Sequence, residues 1–178
     1  MLRWMVKDTA LSNYLQACRD ADLSNIEEDT ELMKMFNTKE NYKAHLKNIV
    51  KHIGPLDGLR ICEIGGGYGG QAKAIFDAYS PLLYHIIDLP EVCELQKRYL
   101  IGLPVECFTE PTGQDYDLVI SNYALSEIVG NNPYIDSIVT KCKHGYIACN
   151  TDFVKLDFKH SRIPDIKGER ETNYILVW

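Results

Sequence analysis

One short stretch of the chain joins an acid to a run of glycines. Residues 61–70 read ICEIGGGYGG, and a glycine run either turns the backbone through angles that other residues avoid or lets a ligand lie against it. A second acid, Asp88, follows about twenty residues after the glycines, at the end of the next predicted strand. These residues suit three ligands: a phosphate, a dinucleotide, or the methionine end of S-adenosylmethionine.

The residues after the glycines separate the first two ligands. A phosphate-binding P-loop requires Gly-Lys-Ser/Thr, whereas Gly70 is followed by Gln71 and Ala72, so the P-loop is excluded. A dinucleotide stays open, because Gly65, Gly67 and Gly70 spell G-x-G-x-x-G. Asp88 also stands where an acid would bind ribose hydroxyls. A nicotinamide oxidoreductase is therefore one alternative function.

Glu63 favours the third ligand. It begins the pattern E-x-G-x-G-x-G, which continues through Gly65, Gly67 and Gly69. A carboxylate beside the loop repels an anionic pyrophosphate. The ammonium and sulfonium of S-adenosylmethionine are cationic and are attracted by the same carboxylate. The sequence therefore predicts an S-adenosylmethionine site.

The elements that position these acids alternate along the chain. Residues 1 to about 53 are predicted to be helical, with a helix that Thr38 caps and Gly54-Pro55 ends. Beyond them, predicted strands alternate with helices, as in a parallel sheet covered on both faces. The tail predicts a final strand pair that cannot be parallel. The predicted strands are LRICEI, LLYHIIDL, PVECFTE, YDLVISNY, GYIACNTD, RIPDI and YILVW.

Five segments resemble one protein family. EIGGGYGG, IIDLPEV, SNYALSEI, GYIACN and TNYILVW are similar to segments of the class I S-adenosylmethionine-dependent methyltransferases. More narrowly, they resemble the sugar O-methyltransferases of glycan and polysaccharide gene clusters. The resemblance covers residues 55–178 and implies an α/β, three-layer Rossmann-like fold with a seven-stranded mixed sheet whose last strand is antiparallel. We expect one domain over 1–178, with a helical segment at 1–54.

The same resemblance implies which residues bind the cofactor. The glycines pass under the methionine moiety near the ammonium-binding Glu63, and Asp88 takes the ribose hydroxyls. Leu89 lies beside the adenine, which Phe108 and Thr109 flank, and residues ending the fourth strand border the methyl group. Tyr68 and Tyr123 are the tyrosines expected at the pocket. The full set is Glu63, Gly65, Gly67, Tyr68, Gly69, Asp88, Leu89, Phe108, Thr109, Ser121, Asn122 and Tyr123.

Methyl transfer to a sugar hydroxyl needs a base, because the hydroxyl is barely acidic. His160 and Glu127 are the candidates: His160 for its intrinsic pKa, and Glu127 because it follows the fourth strand. Asp152 is a third candidate. The histidines and cysteines form no metal-site pattern, although Asp88, Glu127 and Asp152 could converge on a divalent ion.

Composition excludes some partners. The net charge of −6 and the pI near 5.4 argue against a nucleic-acid surface, which is normally basic. No apolar run approaches the roughly 20 residues of a membrane span, no secretory signal is evident, and the scattered cysteines predict free thiols in the cytoplasm. The expected partner is a sugar or glycan acceptor. The alternatives are another small hydroxylated metabolite, or a non-catalytic binding module with this fold.

Overall fold

The computed structural model describes residues 3–4, 8–26, 35–130, 132–152, 154–166 and 172–178. The helices are α1 (Asp8–Asp20), α2 (Lys39–Ile53), α3 (Gly70–Phe76), α4 (Pro90–Tyr99), α5 (Ala124–Glu127) and α6 (Asn132–Ser137), and a 3₁₀ turn spans Val139–Lys141. The strands are β1 (Arg3–Trp4), β2 (Arg60–Ile64), β3 (Leu83–Ile87), β4 (Val105–Phe108), β5 (Leu118–Asn122), β6 (Ile128–Val129), β7 (His144–Cys149), β8 (Ser161–Pro164) and β9 (Tyr174–Val177).

Seven strands form one mixed sheet in the order β4-β3-β2-β5-β7-β9-β8. Strands β2, β3, β4, β5 and β7 are parallel to their neighbours in that group. Strand β9, the last in the chain, lies between β7 and β8 and is antiparallel to both. The predicted seven-stranded sheet with an antiparallel last strand is confirmed.

Local sequence explains the central elements. Strand β5 reads LVISN and is buried at every residue, as expected of a parallel strand covered on both faces. Helix α2 begins after Thr38, whose Oγ1 accepts a hydrogen bond from the Asn41 amide at 3.3 Å. It ends at Gly54, whose φ of 104° suits glycine. Both predicted ends of this helix are confirmed.

Helices cover both faces of the sheet. On one face, α2 and α3 contribute Ile49 and Ile75 to a core shared with Ile61 of β2. On the other face, Ile135 of α6 packs in a core with Cys62. Neighbouring residues of β2 serve opposite cores because side chains alternate along a strand. The result is the predicted three-layer arrangement.

The N-terminal region differs from the all-helical prediction. Arg3–Trp4 is a strand that pairs antiparallel with Ile128–Val129 of β6, so pairing with a distant segment fixes its conformation. Residues 21–26 form a turn rather than a helix. The remaining residues before Thr38 that the sequence predicts to be helical include 27–34, which fall outside the described residues.

The six cysteines are free thiols; five are buried, and Cys107 is half-buried. Within the described part of the chain, no helix is long and apolar enough to cross a membrane.

Candidate cofactor and active site

A crevice of about 590 Å³ opens beyond the carboxyl ends of β2 and β5. From β2 the chain continues to β3 and β4 on one side, whereas β5 and β7 lie on the other. Ligands of open α/β sheets bind at such a reversal of strand order. The predicted site residues that line the crevice are Gly65, Gly67, Asp88, Asn122, Tyr123 and Glu127.

The glycine loop splits into a ligand-facing part and a packing part. Gly65 and Gly67 line the crevice with φ values of 75° and 56°, in the left-handed region that favours glycine. Gly69 instead packs inward, where an added Cβ would lie 2.9 Å from Leu100. Tyr68 is fully buried in an aromatic cluster with Phe36 and does not line the crevice.

Asp88 enters the crevice already held by several donors. Its Oδ1 accepts from the Leu89 amide at 2.8 Å, and its Oδ2 accepts from Gln96 Nε2 at 2.9 Å. Burial raises the pKa of this carboxyl to about 7, against the lowering effect of these bonds and of the Gly66 and Gly67 backbone. Gln96, which no sequence motif indicates, also donates from Nε2 to the Gly67 carbonyl at 2.9 Å. Gln96 thus ties the acid to the glycine loop.

Glu63 lies behind the crevice rather than on its surface. It is fully buried, and Tyr84 Oη donates to its Oε2 at 2.8 Å. Its Oε1 is buried and has no hydrogen-bond partner among the described residues. Burial raises the pKa of this carboxyl to about 8, and the nearby Asp88 adds to the rise. One oxygen of this carboxyl is therefore bonded, and the other has no partner in the described part of the chain.

The end of β5 supplies three predicted residues with different roles. Ser121 is fully buried; its Oγ donates to the Ile64 carbonyl and accepts from the Leu125 amide, so it joins β5 to β2 and α5. Asn122 lines the crevice and donates from Nδ2 to Gln71 Oε1 at 2.9 Å, while its buried Oδ1 has no partner in the described chain.

Tyr123 combines an unusual backbone with a fixed side chain. It has a φ of 74° and is the non-glycine residue with positive φ in the described part of the chain. Such strain is frequent at functional sites. Its hydroxyl donates to the Asp165 carboxylate at 3.0 Å and 3.1 Å. A buried acid from the segment after β8 therefore holds Tyr123 at the crevice.

Glu127 ends α5 and lines the same crevice. Its Oε1 accepts from Asn150 Nδ2. Burial raises the pKa of this carboxyl, and the Asn150 bond opposes that rise. A carboxyl with a raised pKa at a crevice is suited to general-base chemistry near neutral pH.

His160 is not brought to the crevice. It is exposed and precedes β8, and its Nδ1 bonds to the Phe158 carbonyl at 2.8 Å. The register places the first residue of β8, Ser161, opposite Val177, which pairs with Tyr146 in the first half of β7. The crevice lies beyond the other end of the sheet, so the structure does not bring His160 into its lining.

Asp152, the third candidate base, is also exposed. Its Oδ1 lies 3.3 Å from Arg162 Nη1, so it forms a surface ion pair. The described residues contain no group of three His, Cys, Asp or Glu side chains that could hold a metal ion.

The residues predicted beside the adenine lie near a separate groove. Phe108 and Thr109 line a groove of about 510 Å³ together with Cys107 and residues of α4. Leu89 is buried next to Asp88, in the cluster that α1 and α4 share. None of the three belongs to the lining of the crevice that Asp88 enters.

Residues before the sheet close the crevice on its remaining side. The sequence signal for this wall is an amphipathic stripe in α1, in which Leu11, Tyr14, Leu15 and Cys18 recur at i, i+3, i+4 and i+7. The N-terminal lining residues are Ala10, Leu11, Asn13, Tyr14, Met35, Phe36, Asn37 and Tyr42.

Comparisons with solved structures agree with the fold. Magnesium protoporphyrin IX methyltransferase from Synechocystis PCC 6803, solved with S-adenosylmethionine, is 13% identical over 96% of this chain and 89% of that chain, with a TM-score of 0.58. A mutant of MtNAS in complex with S-adenosylmethionine is 15% identical over 95% and 71%, with a TM-score of 0.62. A structure of the Haloferax volcanii Trm112 methyltransferase activator with its methyltransferase is 17% identical over 73% of this chain, with a TM-score of 0.56.

The chain spans 61% of the length of the Haloferax volcanii protein that it matches. A search of curated protein sequences gave no match. The family model described as an O-methyltransferase domain matches residues 5–114, more than half of the chain. The match includes the N-terminal region, which the resemblance at 55–178 did not cover. The family match agrees with the predicted methyltransferase class, and the solved methyltransferase structures share the fold. The chain therefore belongs to the O-methyltransferase domain family.

Proposed function

We propose that this chain binds S-adenosylmethionine in the crevice and methylates a hydroxyl group of a sugar unit in a glycan or polysaccharide. The observation that carries the proposal is the charge of the crevice. Asp88 and Glu127 contribute carboxyl groups to it, and its described lining contains no lysine, arginine or histidine. Such a site favours a cationic ligand over an anionic diphosphate.

The chain's own groups fit the cofactor. Asn122 Oδ1, which belongs to the crevice lining residue Asn122, is a buried acceptor without a donor among the described residues. Leaving it so costs free energy that a donor such as an ammonium group would recover. Gly65 and Gly67 leave the floor free of side chains, and Asp88 can accept from ribose hydroxyls. S-adenosylmethionine supplies, when bound, a methyl carbon activated by a sulfonium.

Glu127 is the base that the geometry favours. Its carboxylate lines the crevice, whereas His160 does not. Glu127 takes the proton of the acceptor hydroxyl as the oxygen gains its methyl group. The crevice walls fix the direction of approach, which is the larger part of catalysis for a displacement at an activated carbon.

The most specific part of the proposal is that the acceptor hydroxyl belongs to a sugar. The segments DLPEV and SNYALSE support it through their resemblance to sugar O-methyltransferases. Asn13, Tyr14 and Tyr123 also line the crevice, and amide and phenol groups bond hydroxyls well. A phosphate or carboxylate acceptor would find no cation among the described lining residues.

The test is transfer of tritiated methyl from S-adenosylmethionine to a panel of glycosides and of hydroxylated non-sugar metabolites. Glu127→Gln should lower kcat by about 10²–10⁴-fold and leave the affinity for S-adenosylhomocysteine unchanged. Transfer to non-sugar hydroxyls alone would refute the sugar acceptor. Full activity of Glu127→Gln would refute the assigned base.

A further inference from the structure

We propose that Asn150 is a positioning residue, which fixes one oxygen of the Glu127 carboxylate and leaves the other facing the acceptor. This inference rests on the proposed function. Asn150 follows β7 and Glu127 ends α5, the helix that follows β5. Because β5 and β7 are parallel neighbours, their carboxyl ends bring these two side chains together.

The contact leaves one carboxylate oxygen available. Asn150 Nδ2 donates to Glu127 Oε1, and the structure gives Oε2 no hydrogen bond within the described residues. Glu127 itself lines the crevice. Asn150 therefore holds Oε1 in place, and Oε2 is free to accept a proton. A base that takes a proton from a bound hydroxyl group requires such a free oxygen.

Ser126 lies on the other side of the Asn150 amide. Its Oγ is 2.9 Å from Asn150 Oδ1 and 2.7 Å from the Tyr123 carbonyl, so these two acceptors share its one proton, and it accepts from the Asn150 backbone amide at 3.3 Å. With Oδ1 turned to this hydroxyl, the NH₂ group faces Glu127. The reverse orientation would set two acceptors, Oδ1 and the carboxylate, against each other.

This arrangement favours the ionised carboxylate. An N–H donor stabilises the charged form and lowers the pKa of Glu127, against the rise that burial causes. The other titratable groups that line the crevice in the described chain are Asp88, on the glycine-loop side, and the phenols of Tyr14, Tyr42 and Tyr123. None of them is a cation, and the hydrogen bond from Asn150, which lies outside this lining, opposes the rise in the pKa of Glu127.

The test follows the Glu127 carboxyl directly, by ¹³C NMR of glutamate-labelled protein without cofactor. Asn150→Asp replaces the donor with a second acid and should move the midpoint of the Glu127 titration up by about 1–3 pH units. Ser126→Ala keeps Asn150 but frees its orientation, and it should give a smaller shift in the same direction. Gln114→Glu is the matched control, since it makes the same amide-to-acid change at an exposed residue before β5 and should give no shift.

Kinetics supply the second readout. In Asn150→Asp the acid limb of the kcat profile should move with the NMR midpoint, while KM for S-adenosylmethionine stays the same. An unchanged Glu127 titration in both Asn150→Asp and Ser126→Ala would overturn the inference. Because the titration requires no turnover, it decides the role of Asn150 even if no sugar is methylated, a result that would count against the proposed function alone.

Discussion

Gly67→Ala tests whether the glycine loop is a surface for the cofactor. Gly67 has a φ of 56°, and an added Cβ would lie 2.9 Å from Tyr42 Oη and 3.2 Å from the Phe36 ring. Both aromatic residues line the crevice. The methyl group must therefore displace one of them, and it also occupies the floor on which the methionine moiety is expected to lie.

Gly113→Ala is the matched control, because Gly113 has a φ of 74° and its added Cβ meets nothing within 4 Å. In both variants the left-handed backbone costs roughly 1–2 kcal/mol. For a chain of this length that lowers Tm by about 2–8 °C. The two variants share the backbone strain and differ in the crowding of the crevice.

Calorimetric titration with S-adenosylhomocysteine separates the two effects. We expect Gly67→Ala to weaken binding by at least about tenfold, or roughly 1.4 kcal/mol, and Gly113→Ala to bind like the unmodified protein. Equal affinities in the two variants would refute the view that the cofactor lies against Gly67.

Three further predictions concern the titration of Glu63, the position of His160 and the hydrogen bond from Tyr123 to Asp165. Without ligand, stability to urea should fall as pH rises from about 4.5 to about 8, because folded Glu63 keeps a proton that the unfolded chain releases; Glu63→Gln should reduce this slope. His160→Ala should retain full kcat and KM in the methyl-transfer assay, because this exposed residue lies away from the crevice. Tyr123→Phe removes a donor from buried Asp165 and should lower the free energy of unfolding by about 1–3 kcal/mol.

Each of these has a contradicting result. An identical pH slope for Glu63→Gln would mean that Glu63 is not protonated when folded. A large loss of kcat in His160→Ala would return His160 to the reaction. An unchanged free energy of unfolding in Tyr123→Phe would mean that Asp165 does not need the phenol.

Local patterns were sufficient to predict the sheet. Apolar runs such as LVISN of β5 predict the strands. The two predicted strands of the tail indicate that the sheet ends with an antiparallel pair. Helix ends at Thr38 and Gly54 depend on single residues, which are visible in the sequence. Strand β1 could not be predicted in this way, because its extended backbone depends on pairing with β6.

The site residues that the sequence predicts correctly are those that stand directly after a strand. The glycines and Asp88 follow strands directly, so the fold brings them together. Gln96 and Asn150 act through contacts with residues elsewhere in the sequence, and no motif or residue spacing indicates these contacts. The side chain of His160 has suitable chemistry for a base. Its position relative to the crevice, however, depends on the register of β8 against β9, which the sequence does not show.

The most direct test of the account is a pair of calorimetric titrations, one with S-adenosylhomocysteine and one with NAD. We expect saturable binding of S-adenosylhomocysteine, loss of that binding in Asp88→Ala, and no binding of NAD. Binding of NAD with no response to S-adenosylhomocysteine would contradict the proposed cofactor.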